Sequence, residues 1–115
     1  MEETLFNQTI DHTLFVIEDV IDEAGFDIDY DTIAGILTLE FFDKSVIIIN
    51  RQVAMEQLWV AARSGGFHLD YVESMNTVGE QWFCKTENCN LGQLLDRLFT
   101  DQADSQIHLG LEEIV

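Results

Sequence analysis

Residues 4–31 read TLFNQTIDHTLFVIEDVIDEAGFDIDYD, and this stretch changes its apolar period once, at Gly25. Before the glycine, Phe6, Ile10, Leu14, Ile17 and Ile21 recur at steps of three or four, the spacing that puts side chains on one face of a helix. Thr4 is the expected N-cap and Gly25 the expected stop. After the glycine, Phe26, Ile28 and Tyr30 alternate with Asp27, Asp29 and Asp31, which is the period of a half-buried strand. A helix that leads at once into a strand, with a core stripe on each, is the start of an α+β domain.

Working outward, further strand-like runs follow at Gly35 to Phe41, Ser45 to Arg51, Gln57 to Ala62, Phe67 to Val72 and Gln81 to Lys85. Their connections are short, so they are expected to pair as hairpins in a mostly antiparallel sheet. From Asn90 the helical period returns in Leu91, Leu94, Leu95, Leu98 and Phe99, with Asn90 and Gln93 forming a variant capping box. A polar tail is expected from about Asp104. The simplest assembly is a two-layer sandwich, with the N- and C-terminal helices on one face of about six strands. Residues 1–115 are expected to form a single domain, since no repeat, linker or low-complexity segment divides them.

Charge is the outstanding feature of the composition. The chain holds 22 Asp and Glu against 5 Lys and Arg, a formal net charge of -17, while 47% of its residues are hydrophobic. That apolar content supports a core, so the acids belong to a folded surface and not to a disordered chain. The field repels phosphate backbones and anionic membranes and attracts cations and basic protein surfaces. Neither nucleic acid nor membrane is an expected partner. No apolar run is long enough for a membrane helix, and the N-terminus lacks the features of a secretory or transit signal, which points to a bacterial cytoplasm.

The acids are unevenly placed. Twelve of the 22 fall within residues 1–43, where there is no Lys or Arg, whereas residues 44–69 hold Lys44, Arg51 and Arg63 against Glu56. Asp11, Glu18 and Asp22 share one side of the first helix, and Asp19 and Glu23 form a second pair one turn apart. Like charges at that spacing cost a few tenths of a kcal/mol each. Clustered carboxylates without a thiolate or imidazole cage suit hard, oxygen-seeking cations held weakly and with part of their hydration. Iron, calcium, magnesium and manganese all qualify on that chemistry, and so does a solvated acidic face that binds nothing.

Other chemistry is sparse. Cys84 and Cys89 are separated by four residues, not the two of a redox or zinc motif, and read as reduced structural thiols. His12 follows Asp11 on the helix, His68 has the strand parity of a solvent-facing residue beside Asp70, and His108 lies in the tail. No phosphate loop, nucleophile triad or di-iron motif is present, so no enzyme active site is expected.

The segment Ile47-Ile48-Ile49-Asn50-Arg51-Gln52, followed by Gln57-Leu58-Trp59-Val60-Ala61 and Ser64-Gly65-Gly66-Phe67-His68-Leu69-Asp70-Tyr71, resembles the central sheet of the frataxin family in its bacterial CyaY branch. Trp82 in Glu-Gln-Trp-Phe-Cys and the pair Leu94-Leu95 fall where that family has its later tryptophan and Leu-Leu. The resemblance covers nearly the whole chain. It implies a sheet with two helices on one face, ferrous or ferric iron on an acidic ridge, and contact with a cysteine desulfurase and an iron-sulfur scaffold protein. Carried over by position, the ridge is Glu18, Asp19, Asp22 and Glu23 on the helix with Asp27, Asp29 and Asp31 on the strand. Asn50, Gln57 and Trp59 are implied to meet the partner. Strand parity agrees on its own terms, because Leu58 and Val60 claim the core face and leave Gln57, Trp59 and Ala61 outside.

The chain departs from the family in two loops. Val53-Ala54-Met55 stands where a proline is usual, so a looser turn is expected there, and the connection from Tyr71 to Glu80 is longer than in close relatives. A short Ala24-Gly25-Phe26-Asp27 junction leaves the number of bound ions open. The leading expectation is a non-catalytic iron-binding regulator or donor for cluster assembly, a monomer with iron-dependent oligomers. The alternative is an acidic inhibitor or nucleic-acid mimic that occupies a basic enzyme surface.

Overall fold

The structure, a computed structural model, describes residues 1–73 and 80–111. Helix α1 spans Glu3–Ala24 and is followed by strands β1 (Asp29–Ile33), β2 (Ile36–Glu40), β3 (Val46–Gln52), β4 (Gln57–Ala62), β5 (Gly65–Glu73), β6 (Glu80–Cys84) and β7 (Cys89–Asn90), and then by helix α2 (Leu91–Ala103). The strands form one sheet in the order β1-β2-β3-β4-β5-β6-β7, with every neighbouring pair antiparallel. Seven strands replace the six expected. The extra one is β7, whose two residues are too few for any alternation to show in the sequence.

Both helices lie on one face of the sheet. Phe6, Ile10, Leu14, Ile17 and Ile21 of α1 and Leu91, Leu94, Leu95, Leu98 and Phe99 of α2 share a single core with Leu37, Leu39, Ile47, Ile49, Leu58, Val60, Leu69 and Trp82 from the strands. Burying a Leu or Ile side chain contributes roughly 1.5–3 kcal/mol, so these positions supply most of the drive to fold. The indole N–H of Trp82 would be costly to leave unpaired in that core. It donates to Thr13 Oγ1 at 3.0 Å, and this bond pins α1 to β6.

Two boundaries at the start of the chain differ from expectation. Helix α1 starts two residues early because Glu2, and not Thr4, is the N-cap: its carboxylate accepts from the Thr4 N–H at 3.1 Å. Gly25 stops the helix at φ 68°, as its place in the sequence suggested. The first strand starts at Asp29, not Phe26: after the left-handed glycine the chain bends, and Phe26 and Ile28 plug the end of the core before pairing begins. As a result β1 is a mostly exposed edge strand.

The segment after α2 is not simply polar. Ile107, Leu109 and Leu111 are buried. Thr100 Oγ1 accepts from the Ile107 N–H at 3.0 Å, and Asp96 Oδ1 accepts from the Leu109 N–H at 2.7 Å. The tail therefore folds back along α2. The turn that lacks proline is closed by one 3-10 turn, Val53–Met55, with Glu56 N–H donating to the Val53 carbonyl at 3.1 Å. Asn90 caps α2 as expected, with both halves of its capping box to Gln93 formed. Most of the connection from Tyr71 to Glu80 lies outside the described residues.

Candidate functional site

Helix α1 and strand β1 meet along a seam. Tyr30 and Thr32, the β1 residues on the helix side of the sheet, reach across it: the Tyr30 phenol donates to Asp22 Oδ2 at 2.7 Å, and Thr32 Oγ1 donates to Glu18 Oε1 at 2.5 Å. Asp19 and Glu23 make neither hydrogen bond nor ion pair with the described residues. The hydrogen bond to Asp22 raises the Tyr30 phenol above its ordinary value, and the negative charges of Asp22, Glu18 and Asp19 add to the effect. Tyr30 thus registers the field of the helix row.

Asp29 and Asp31 stand opposite Glu40 and Thr38 in the β1-β2 register. They alternate with Tyr30 and Thr32, so they face the open side of the sheet, away from α1. Asp27 is exposed in the bend before β1, beside a cavity of ≈ 250 Å³ lined by Phe26, Ile28, Phe41, Phe42 and Ile107. The seven ridge acids therefore form two rows on either side of an edge strand and not one cluster. Among the described residues no three His, Cys, Asp or Glu side chains converge into a cage.

Positive charge is spent elsewhere. Lys44 pairs with Glu40, Arg51 with Asp11, Arg63 with Asp43 and Asp101, Lys85 with Asp70, and Arg97 with Glu87. These are all five basic side chains of the protein. None meets Glu18, Asp19, Asp22, Glu23, Asp27, Asp29 or Asp31. Among these pairs, Arg51 is the one that reaches α1. Its side chain is only 15% exposed, and the guanidinium donates to Asp11 Oδ1 at 2.6 Å, Asn7 Oδ1 at 2.9 Å and the Gly35 carbonyl at 3.3 Å. No local feature of the sequence pointed to this bridge, because its partners lie 40, 44 and 16 residues away.

The open face of the sheet carries the second candidate surface. Asn50 lies opposite Trp59, Trp59 opposite His68, and Gln57 opposite Asp70. The Trp59 and His68 rings stack in parallel, with centroids 4.2 Å apart and planes 11° apart. Trp59 Nε1 donates to Gln57 Oε1 at 2.9 Å, Gln57 Nε2 donates to Asp70 Oδ1 at 3.2 Å, and Lys85 Nζ lies 3.8 Å from Asp70 Oδ2. Asn50, Gln57 and Trp59 thus belong to one continuous patch, where strand parity had put Gln57 and Trp59. His68 and Asp70 complete it; only the β4-β5 register reveals them as its members. Ile48, Ala61 and Gly66 extend the patch as a shallow apolar depression of ≈ 190 Å³.

No helix among the described residues is long and apolar enough to cross a membrane. Residues 1–105 match the family model of the Frataxin-like domain. The chain is 41% identical over 107 residues to the iron-sulfur cluster assembly protein CyaY of Pseudomonas fluorescens, covering 93% of this chain and 94% of that protein. It is 49% identical over 84 residues to the protein of the same name from Vibrio vulnificus, covering 73% of this chain and 75% of that one. Among solved structures it superimposes on the frataxin of Psychromonas ingrahamii with a TM-score of 0.81 at 30% identity, over 95% of this chain and 98% of the other. With the helix-sheet-helix order, the Asn50 to Trp59 strand pair and these matches in agreement, the chain belongs to the frataxin family, in its CyaY branch.

Proposed function

We propose that this protein serves iron-sulfur cluster assembly as a non-catalytic iron-binding component. The ridge of Glu18, Asp19, Asp22, Glu23, Asp27, Asp29 and Asp31 collects ferrous or ferric iron, and the face of Asn50, Gln57 and Trp59 docks on the scaffold protein and cysteine desulfurase. The observation that carries the reading is the charge arrangement: every basic side chain is paired away from the ridge, which leaves seven carboxylates for cations. All-oxygen donors select hard cations, and their two-row layout suits several weakly held, hydrated ions better than one caged ion. A half-buried Trp set among small and polar neighbours is a suitable interface anchor. The relatives' name, iron-sulfur cluster assembly protein, supports the same reading.

The test is a residue-resolved titration of iron into the apo protein, paired with Asp19→Asn, Asp22→Asn and Asp29→Asn together. Broadening should concentrate in residues 18–31, and the triple variant should bind iron and desulfurase more weakly. Broadening elsewhere, or unchanged affinity for both, rejects the ridge. Capture of partners from a bacterial lysate separates this reading from an acidic nucleic-acid mimic, which would retain a nuclease or DNA-binding protein instead of cluster-assembly proteins.

A further inference from the structure

Cys84 and Cys89 lie directly opposite each other as the register pair that joins β6 to β7. Directly opposed residues of an antiparallel pair have Cα atoms ~4.5 or ~5.5 Å apart and side chains on the same face, and both separations fall within the range a disulfide spans. Both thiols are free. Cys84 is 0% exposed, whereas Cys89 is only partly covered and packs on the core edge. Cys89 therefore reaches solvent, whereas Cys84 is enclosed in the core with its Sγ 3.4 Å from Thr86 Oγ1.

We infer that Cys84 and Cys89 are a reversible thiol-disulfide pair, with Cys89 the entry thiol for hydrogen peroxide and Cys84 the resolving thiol. The Cys89 thiolate attacks one oxygen of the peroxide, the O–O bond breaks, and the departing hydroxide takes up a proton to leave as water. Cys84 then attacks the sulfur of the Cys89 sulfenic acid. The S–S bond forms, the S–O bond breaks, and hydroxide leaves with the Cys84 proton as a second water. Two thiols and one hydrogen peroxide give one disulfide and two waters, the sulfurs losing the two electrons that the peroxide gains. Burial pushes the Cys89 thiol up, against the pull of the nearby Arg97 guanidinium, so the reaction is slow near neutrality and speeds up as pH rises.

Trypsin cleavage after Lys85 separates the two cysteines, so the bond is read directly. The intact protein is treated with hydrogen peroxide, alkylated, and digested without reductant. A link between peptides 64–85 and 86–97 in monomeric protein, lost on adding dithiothreitol, is the expected result. In Cys84→Ser, Cys89 should accumulate as a sulfenic acid trapped by dimedone, which the unsubstituted protein should not show. Recovery of both cysteines as separately alkylated thiols, over-oxidation of Cys89 beside a free Cys84, or links formed only between molecules would overturn the assignment.

Discussion

Tyr30 donates its phenol proton to Asp22 across the seam between β1 and α1, and the same carboxylate raises the phenol above its ordinary value. Because the folded value lies above the unfolded one, this contact contributes stability that is complete below the unfolded value and is lost as pH rises through the folded one. Tyr30→Phe should therefore flatten the loss of stability on the alkaline side. A cation seated near Asp22 and Glu18 would cancel part of the field and move the phenol back down. Calcium, used as a hard-cation probe in a Tyr71→Phe background, should lower the midpoint of the phenolate absorbance titration. An unmoved midpoint would place bound cations away from this seam.

Asp19 and Glu23 are one turn apart on α1 with no basic residue in reach, so each repels the other. Asp19→Asn with Glu23→Gln should raise stability by a few tenths of a kcal/mol in low salt, and the gain should fade toward 1 M salt as screening shortens to about 3 Å. Asp11→Asn should do the opposite, since Asp11 is held by Arg51 at 2.6 Å. Urea denaturation at two ionic strengths measures both. If the double variant gains nothing at low salt, the ridge carries no uncompensated repulsion.

Arg51 ties three separate segments together through Asp11, Asn7 and the Gly35 carbonyl. Arg51→Met keeps much of the stem and removes the fork, which leaves Asn7 Oδ1 and the Gly35 carbonyl facing a half-buried gap. Net of solvent, a hydrogen bond to a charged group contributes about 1.5–3 kcal/mol, and the exposure of Asp11 discounts its share, so a loss of about 2–3 kcal/mol is expected by urea denaturation. A loss below about 1 kcal/mol would mean that water replaces the guanidinium freely.

What the sequence disclosed follows the range of the forces involved. The α1 stripe of Phe6, Ile10, Leu14, Ile17 and Ile21 is legible because helical spacing is local, and all five residues are buried. The start of β1 was not, because the alternation of Phe26 and Ile28 reflects plugging of a core end that only the sheet creates. Strand parity put Trp59 on the open face, yet its stacking on His68 depends on register, which is set by partners in another strand. The ridge acids could be named individually from the sequence. Their division between helix and strand was legible from the alternation with Tyr30, but the bonds of Tyr30 and Thr32 to Asp22 and Glu18 were not, since they depend on where α1 lies over the sheet.

The two tryptophans should part under substitution. Trp82 is fully buried, meets Phe6 edge-on at 6.1 Å and bonds Thr13, so Trp82→Ala should cost about 3–5 kcal/mol. Thr13→Val, which leaves the indole N–H unpaired, should cost about 1–3 kcal/mol. Trp59 is half-buried on the open face, where its stacking on His68 is worth about 1 kcal/mol, so Trp59→Ala should leave folding nearly intact. If the proposed docking is right, the same change should weaken binding to the scaffold protein by at least about 2 kcal/mol, or about thirtyfold. Thermal unfolding and calorimetric titration on the same samples separate the two roles. A Trp59→Ala variant that binds the scaffold normally would move the docking surface off this face, while one that unfolds like Trp82→Ala would make Trp59 a structural residue after all.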